Sequence, residues 1–520
     1  MVIRKISYYR VIVSLCLFMF LLSPVFGDEI SAVSFDKELP ENNIVTIQPD
    51  SLRILHNPLT GWVLYASMGV DAADFWAQYD HMYIPELGHN VSVTDYAHTL
   101  YIRASWTDFN PQEDVYGWKI DSNLRAYIEG AYQRNMRLAF RVVVDSRDKR
   151  TEFTPQFVKD AGAKGFMNKG KWSPYSDDSV FQKYYTKFVK ALAKDFNDPS
   201  KVEFIDGFGL GKWGEYHTMI YSTGDDTPKK AVFDWVTDIY SQAFDKVPVV
   251  INYHRWIGAG KDWVDDEHFA ADSEEMLEEA IKKGYSLRHD AFGMTTYYGS
   301  WERRFAKKYR NICPIIMEGG WIVKSHSYWQ DPRGYRKDSH EDVRRGEFDD
   351  SKEAHVNMMD FRFGDTESWF KDAFDLVRRF LREGGYRLYP SEISLPLEVS
   401  KKTTPTIKHC WNNLGWGYCP TNIPQWNQKY KVAFALLDSE TNEVRYTFVD
   451  TNTDLSKWIK GSPAEYVFEP DMSKVETGTY VWAVALVDRS NKDLIGLDIA
   501  AKGDILDSGW LKLSKVSIKK

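Results

Sequence analysis

The sequence predicts an α/β protein: a (β/α)8 barrel (TIM barrel) followed by an antiparallel β-sandwich domain. Three observations predict it. Between residues 51 and 388, short apolar strands alternate with segments of helical periodicity. Two of these strands lead to Glu215 and Glu318, which are 103 residues apart, and at about 31 residues per βα unit this separation equals three units. Beyond residues 389–390 the pattern changes to short alternating runs.

The N-terminal residues have the pattern of an export signal. Arg4 and Lys5 precede an apolar run, and Gly27 supplies the small residue of a cleavage site. The run is too short to span a bilayer, so we expect a signal peptide over residues 1–27 whose removal leaves a secreted or periplasmic protein. Residues 28–50 are polar and irregular, which is typical of a linker or an N-terminal arm.

The first barrel strands are recognised by their apolar, β-branched composition. We expect strand 1 at residues 61–66 (GWVLYA), strand 2 at 99–105 (TLYIRAS) and strand 3 at 136–145 (MRLAFRVVVD). Asp121 is the expected N-cap of a helix at residues 122–134, and helical spacing of aromatic residues predicts a helix at 179–196. Residues 71–94 and 149–178 are expected to be long loops that shape a cleft.

Residues 202–217 (VEFIDGFGLGKWGEYH) contain strand 4 and a glycine-rich loop. Gly209 to Gly214 spells G-x-G-x-x-G, which in a dinucleotide-binding unit cradles a pyrophosphate at a helix N-terminus. No helical pattern follows here, because residues 222–228 are rich in turn formers, and no second strand ends in an acidic residue about 20 residues on. The sequence therefore argues against a dinucleotide, and no other cofactor is predicted.

The second half of the barrel follows the same alternation. We expect helices at 229–244 and 273–283, strands 5 to 8 at 247–253, 286–293, 313–318 and 357–363, a helix starting at 351–356 and a closing helix at 367–384. Glu318 ends strand 7 (CPIIME) and precedes Gly319 and Gly320, which permit a sharp turn. Residues 322–349 are rich in Trp, Tyr, His and Arg, and we expect substrate subsites there.

Glu215 and Glu318 are the candidate catalytic residues. The carboxyl ends of all barrel strands open onto one face, where the active sites of such barrels lie. Two carboxyl groups facing each other across a cleft are the minimum equipment for glycoside hydrolysis, one as general acid and base and the other as nucleophile. The alternative is that both are buried structural carboxylates.

These motifs, together with the stretch WTDFNPQEDVYGWKID at residues 106–121, resemble the clan A retaining glycoside hydrolases, and among them the family 42 type. They also resemble a poorly characterised group of secreted bacterial barrels with a C-terminal β-domain. The resemblance covers roughly residues 55–385. It implies that Glu215, after strand 4, is the acid/base and that Glu318, at the end of strand 7, is the nucleophile.

The resemblance also implies roles for neighbouring residues. Arg103, at the end of strand 2, matches an arginine that supports the nucleophile, and either Tyr297 or Tyr298, after strand 6, matches a tyrosine that hydrogen-bonds it. The chain departs from the clan at Gly214, where an asparagine normally holds the substrate 2-hydroxyl. Either another side chain, for example Lys212 or His217, supplies that contact, or the substrate lacks a normal 2-hydroxyl interaction.

Further polar and aromatic side chains at the predicted strand ends are candidate substrate contacts. They are Arg103, Trp106, Asp145, Lys212, Trp213, His217, His254, Asp290, Tyr297, Tyr298 and Trp321. Aromatic residues make up 15% of the chain, and their faces pack on the C–H faces of sugar rings. A structural ion pair is the alternative for Arg103, and a structural role is the alternative for His254.

The net charge and the cysteine spacing of the chain exclude some classes of binding partner. The net charge of −8 argues against nucleic acid and anionic membranes, both of which favour clusters of Lys and Arg. We therefore expect a carbohydrate substrate and no membrane insertion after signal cleavage. The absence of Cys-x-x-Cys or clustered Cys/His spacing argues against zinc, and no metal site is predicted.

Three cysteines follow the predicted signal peptide. In an oxidising compartment Cys410 and Cys419 are able to form a disulfide, with Cys313 remaining buried on strand 7. The alternative is three unpaired thiols.

Residues 389–520 form the predicted sandwich domain, with strands expected at 431–437, 444–449, 480–487 and 511–518. Its aromatic loop at 411–418 is predicted to pack on the barrel, with glycan binding as the alternative. Two other functions compete with a retaining hydrolase. One is a glycan-binding protein without turnover, and the other is an inverting or α-specific glycosidase.

Overall fold

Eight parallel strands close into a barrel in the computed structural model, which describes residues 42–147, 151–260, 267–294, 297–321 and 340–520. The predicted signal peptide lies outside the described residues, as do most of the predicted linker and most of the predicted loop at 322–349.

The strands are numbered here in chain order. They are β1 (Asn42–Thr46), β2 (Gly61–Tyr65), β3 (Met82–Ile84), β4 (His89–Val91), β5 (Ala97–Ser105), β6 (Arg137–Val143), β7 (Gly165–Asn168), β8 (Lys171–Pro174), β9 (Val202–Asp206), β10 (Val249–Asn252), β11 (Tyr285–Phe292), β12 (Ile315–Gly319), β13 (Met358–Asp360), β14 (Leu388–Pro396), β15 (Glu398–Ser400), β16 (Ile407–Asn413), β17 (Tyr430–Asp438), β18 (Val444–Asp450), β19 (Ala464–Phe468), β20 (Gly478–Asp488), β21 (Leu494–Leu497) and β22 (Leu511–Lys519).

The α-helices are numbered in the same way. They are α1 (Ala72–Asp80), α2 (Trp106–Phe109), α3 (Gly117–Ile120), α4 (Ser122–Gln133), α5 (Gln156–Asp160), α6 (Ser179–Phe196), α7 (Lys229–Ala243), α8 (Glu267–Lys282), α9 (Ser300–Tyr309), α10 (His340–Glu353), α11 (Thr366–Asp372) and α12 (Phe374–Glu383). None of the helices in the described part of the chain combines the length and apolar composition needed to cross a membrane.

The barrel strands follow one another in the order β2, β5, β6, β9, β10, β11, β12, β13, and every neighbouring pair is parallel. Alternate residues point to opposite faces, so the strands are apolar on both sides. Phe204 and Val250 pack inside the barrel, whereas Ile205 and Ile251 pack with the outer helices. The predicted fold class is thereby confirmed, including the eight-stranded barrel.

The helix predictions hold where periodicity is strong. Helix α6 has the predicted bounds, and its apolar stripe packs in the outer core. Helix α4 begins after Asp121, whose carboxylate accepts a hydrogen bond from the backbone N–H of Leu124 at 2.7 Å, as expected for an N-cap.

Two predicted loops instead contain regular structure. Residues 71–94 include α1 and the β3–β4 hairpin, because Phe75, Trp76 and Tyr79 form a buried face at helical spacing after the N-cap Asp71. Residues 149–178 include α5 and the β7–β8 hairpin. Helices and hairpins thus occupy part of both segments in place of irregular loops.

Two helix boundaries also differ from the prediction. Helix α10 ends at Glu353, near the residue where a helix was expected to begin. The predicted closing helix is two helices, α11 and α12, because the backbone of Ala373 leaves the helical region with φ −145° and ψ 38°.

The C-terminal residues form two sheets. One has the order β1-β14-β16-β19, and the other has the order β15-β22-β20-β17-β18 with β21 paired to β20. Neighbouring strands are antiparallel except for β15 and β22. Side chains of both sheets, including Trp411 and Trp482, share one apolar core. The predicted linker supplies β1, whose residues pair with β14.

These sheets contact the amino-terminal end of the barrel. Asn57, just before β2, exchanges two hydrogen bonds with the backbone of Asp498. The indole N–H of Trp416 donates to the carbonyl of Val356, just before β13, at 2.9 Å. The aromatic loop at 411–418 therefore packs on the barrel, and the opposite, carboxyl end of the strands remains available for a cleft.

Candidate active site

A cleft of about 520 Å³ opens at the carboxyl ends of the barrel strands, which is a usual size for a small-molecule site. Its walls include Tyr65 from β2, Arg103 from β5, Asp290 from β11 and Glu318 from β12. Four strands that are distant in the sequence thus contribute to one concave surface.

Glu318 lies on the cleft wall, almost completely buried, at the end of β12. Arg288 from β11 forms a buried ion pair with it by donating from Nη2 to Oε2. The same Nη2 lies 3.1 Å from Oδ2 of Asp360 on β13. The carboxylate is therefore held between two strands by one guanidinium group.

Glu215 reaches the same cleft from the loop after β9. Its Oε1 lies 3.4 Å from Nη2 of Arg103 and 3.6 Å from Nη1 of Arg141, and its Oε2 lies 3.3 Å from Nε2 of His217. Its backbone carbonyl is 2.8 Å from Nε2 of His254. Basic side chains from four different segments thus surround this residue.

The glycine-rich loop places Glu215 by folding against β6. Gly209 has a φ of +74°, and a Cβ atom there would lie 2.0 Å from the carbonyl oxygen of Val142. The Gly209 carbonyl accepts a hydrogen bond from the backbone N–H of Val144 at 3.1 Å. Arg103 donates to the carbonyl of Trp213 at 2.5 Å, which ties the end of the loop to β5.

A buried charge network joins the two candidate catalytic residues. Asp290 lies 2.5 Å from Nη1 of Arg141 and 3.2 Å from Nε of Arg288, so these three residues connect Glu215 to Glu318. The network contains the carboxyl groups of Asp206, Glu215, Asp290, Glu318 and Asp360 and the guanidinium groups of Arg103, Arg141 and Arg288. With more acidic than basic groups, the network favours retention of a proton by a buried carboxyl group.

The pKa values within the network differ strongly. Burial, reinforced by the charges of Asp290 and Asp360, raises the pKa of Glu318 to about 8 despite the opposing effect of Arg288. Burial also raises the pKa of Asp360. For Asp290, the charges of Arg141 and Arg288 outweigh burial and lower the pKa. Asp290 is therefore an ionised member of the network, whereas the pKa of Glu318 lies well above the usual range of a carboxyl group.

Most of the candidate residues converge on the cleft. Glu215 and Glu318 are joined there by Arg103, Trp213, His217, His254, Asp290, Tyr297 and Trp321. Arg103, however, contacts Glu215, and the arginine that pairs with Glu318 is Arg288. The arginine expected to support the predicted nucleophile thus comes from β11, a different strand from the one the sequence suggested.

Two aromatic candidates lie in the core and do not line the cleft. Trp106 begins α2 immediately after β5, and its ring packs against Phe181 and Tyr185 of α6. Tyr298 stacks on Phe292, and its hydroxyl accepts a hydrogen bond from that of Tyr253 at 3.2 Å. Both are buried because their side chains face the outer helices.

Two polar candidates also lie outside the cleft lining. Asp145 forms a buried ion pair with Arg147 and accepts a hydrogen bond from Ser173 at 3.3 Å, which is a structural role. Lys212 places its ammonium group 4.3 Å from the centre of the Trp213 ring, which directs it toward the loop's own aromatic side chain.

Several important residues were not predicted as site residues. Arg141, Arg288, Asp206 and Asp360 are fully buried members of the network. Each is a charged residue within an apolar strand, as in FRVVV and SLRHDA. A charge in such a strand is unusual and indicates a buried, paired residue, so the sequence could have identified these four. Asn252, Trp256, His289, Arg362 and Phe363 also line the cleft.

Cys313, Cys410 and Cys419 are buried free thiols, so Cys410 and Cys419 are not bridged. Among the described residues, no group of three or more His, Cys, Asp or Glu side chains is arranged to hold a metal ion.

No protein-family model matches the sequence, and no curated protein matches it. Solved structures with some similarity include an endo-β-1,4-mannanase from Thermotoga petrophila, at 12% identity and a TM-score of 0.37, covering 89% of this chain and 99% of that chain. A GH30 endoxylanase from Clostridium papyrosolvens has 9% identity and a TM-score of 0.36, with 82% and 95% covered. Endo-glycoceramidase II from Rhodococcus sp. has 13% identity and a TM-score of 0.38, with 82% and 99% covered. Similarity at this level carries no information about substrate or mechanism, and the fold class rests on the barrel's own topology.

Proposed function

We propose that the protein is a secreted retaining glycoside hydrolase that acts on a poly- or oligosaccharide, with Glu215 as general acid/base and Glu318 as nucleophile. The observation that carries the proposal is the meeting of these two carboxyl groups in one cleft at the carboxyl end of the barrel. They are connected by the guanidinium groups of Arg141 and Arg288 through Asp290.

In the first step, Glu318 attacks the anomeric carbon while Glu215 protonates the leaving oxygen, which gives a glycosyl-enzyme and a free alcohol. In the second step, Glu215 removes a proton from water, the water oxygen bonds to the anomeric carbon, and the bond to Glu318 breaks. Arg103 and Arg141 stabilise the carboxylate that Glu215 becomes after it donates its proton.

The aromatic residues of the cleft support a carbohydrate substrate. Trp213, Trp256 and Tyr297 line it, and Trp321 and Phe363 are 57% and 55% exposed at its edge. Flat apolar rings suit the C–H faces of sugars, while the polar network suits their hydroxyl groups. The exposed rings of Trp321 and Phe363 support a substrate with more than one sugar unit.

The raised pKa of Glu318 favours a second candidate, in which the roles are exchanged. A carboxyl group with a pKa near 8 is protonated at neutral pH and suits a general acid. Glu215 would then be the nucleophile, supported by Arg103 and Arg141. The reaction and substrate class are the same in both assignments.

The proposal is tested by screening the protein on a panel of aryl glycosides and polysaccharides, together with Glu215→Gln and Glu318→Gln. We expect wild-type turnover that both variants lose while they still bind sugar, and proton NMR of the first-formed product is expected to show retained anomeric configuration. Unchanged hydrolysis in either variant would reject the assignment. Inverted product would indicate an inverting enzyme, and sugar binding by a wild type that hydrolyses nothing in the panel would indicate a glycan-binding protein.

A further inference from the structure

Two buried polar side chains on the cleft wall have a hydrogen-bonding atom without a protein partner. Asn252 ends β10 and is 5% exposed, and His289 lies on β11 and is 3% exposed. Both line the cleft. Among the described residues, neither Oδ1 of Asn252 nor Nε2 of His289 has a hydrogen-bond partner. Buried polar atoms in proteins are normally paired, so unpaired atoms on side chains that line a cleft are available to a ligand.

The hydrogen bonding of His289 defines what its free nitrogen offers. The backbone N–H of Ala291 donates to Nδ1 at 3.0 Å, so the neutral ring carries its proton on Nε2. Burial and the nearby His254 lower the pKa of His289, which keeps the ring neutral. The Nε2–H group is therefore a hydrogen-bond donor on the cleft wall.

Asn252 supplies the complementary function. Its Oδ1 is an acceptor, and Asn252 pairs in register with Arg288, the residue before His289. Strands β10 and β11 lie between β9, which leads to Glu215, and β12, which ends at Glu318. A sugar hydroxyl both donates and accepts a hydrogen bond, so an acceptor and a donor on adjacent strands between the two carboxylates match its chemistry.

Buried residues of the same types elsewhere show the contrast. In the C-terminal sheets, the side chain of Asn413 has four hydrogen bonds, and both ring nitrogens of His409 are partnered. Those side chains complete the packing of a core. Asn252 and His289 have equivalent burial but keep an atom unused at the cleft wall.

We infer that Asn252 and His289 bind hydroxyl groups of the sugar that lies between Glu215 and Glu318 and thereby contribute to sugar specificity. This inference rests on the proposed function, because that function places a sugar in the cleft. Gly214, directly before Glu215, has no side chain with which to make such a contact.

The test measures kcat/KM for Asn252→Ala and His289→Phe on an aryl glycoside that the wild type hydrolyses and on its monodeoxy analogues. We expect each variant to lose about 10- to 100-fold on the parent glycoside. For wild type, kcat/KM is expected to be lower by a similar factor on one deoxy analogue than on the parent glycoside. On that analogue, the variant is expected to be little slower than wild type, because the hydrogen bond that the substitution removes is already absent. His289→Gln, which keeps an N–H donor, is expected to recover part of the activity.

His98→Phe is the matched control. His98 is also buried with both ring nitrogens unpartnered among the described residues, but it does not line the cleft. We expect kcat/KM of His98→Phe to remain within about 2-fold of wild type, because His98 lies at the amino-terminal end of β5, away from the cleft. Wild-type activity in both cleft variants would overturn the inference. It would also be overturned if, on every deoxy analogue, the loss from the substitution multiplied the loss from the missing hydroxyl.

Failure of the proposed function gives a separate result. If the wild type hydrolyses none of the glycosides, binding of D-glucose, D-mannose, D-galactose and D-xylose is measured by calorimetry. Weakened binding in Asn252→Ala and His289→Phe, but not in His98→Phe, would support the two contacts without catalysis. Equal binding by all variants, or no binding by the wild type, would overturn them.

Discussion

Arg288 pairs with Glu318 on the cleft wall, and neither side chain has appreciable contact with solvent. The same guanidinium group also lies 3.1 Å from Asp360 and 3.2 Å from Asp290. With Asp206, 3.6 Å from Nε, one cation therefore offsets four buried carboxyl groups. Removal of one partner from a buried network leaves uncompensated charge, which costs far more than loss of a surface pair.

Arg288→Met is expected to lower the free energy of unfolding by about 3–5 kcal/mol, because Glu318 and Asp360 lose their shared countercharge. Denaturant unfolding measures this change. Arg125→Met, which removes an exposed pair with Glu129, serves as control and is expected to leave the unfolding curve unchanged. Similar curves for the two variants would contradict a structural role for the network.

Activity is expected to depend on pH through Glu318. If Glu318 is the nucleophile it reacts only when ionised, so kcat/KM should rise with pH until the pKa of about 8 is passed. The measurement is a pH profile of kcat/KM on an aryl glycoside whose leaving group needs no protonation. On a second glycoside, whose leaving group does need protonation, a profile that falls as pH rises through about 8 would instead assign the proton donor's role to Glu318.

Azide is expected to distinguish the two carboxyl groups. In Glu215→Ala, a 2,4-dinitrophenyl glycoside still forms the glycosyl-enzyme, and attack by azide should give a glycosyl azide of retained configuration. In Glu318→Ala, azide should displace the leaving group directly and give the inverted configuration. Proton NMR determines the anomeric configuration of the glycosyl azide. The opposite pair of configurations would exchange the roles of the two residues.

Gly209→Ala is expected to reduce both stability and activity. The added Cβ would lie 2.0 Å from the Val142 carbonyl, so the loop that carries Glu215 must move away from β6. We expect a loss of about 1–3 kcal/mol in unfolding free energy and at least about 10-fold in kcat/KM. Gly224→Ala is the matched control, because Gly224 also has positive φ but its Cβ would meet no atom within 4 Å. Equal effects would show that the close approach to Val142 is unimportant.

The thiols provide a test of the C-terminal core. Burial raises the pKa of Cys313 and Cys419, so neither should react with a thiol reagent in the folded protein. In protein that begins at Asp28, we expect three thiols to react after unfolding without reductant, since Cys410 and Cys419 are not bridged. A single reactive thiol would indicate a disulfide between them.

Much of the fold was predictable because its signals are local. Helix α6 has the predicted bounds because aromatic residues repeat at helical spacing, and β12 carries Glu318 to its carboxyl end because an apolar run ends in an acid and two glycines. Backbone direction and hydrophobic period are properties of neighbouring residues. These local patterns predict the order of strands and helices, and that order predicts the barrel.

The partners of each side chain required closure of the barrel. Arg288 and Glu318, like Arg141 and Asp290, come from different strands and meet only when all eight strands are in register. For the same reason the sequence did not separate Trp106, which faces the helices, from tryptophans that face the cleft. The local pattern is the same for both. The environments of these tryptophans differ because segments distant in the sequence pack against one face of each strand end and bury it. The opposite face is left open to a ligand.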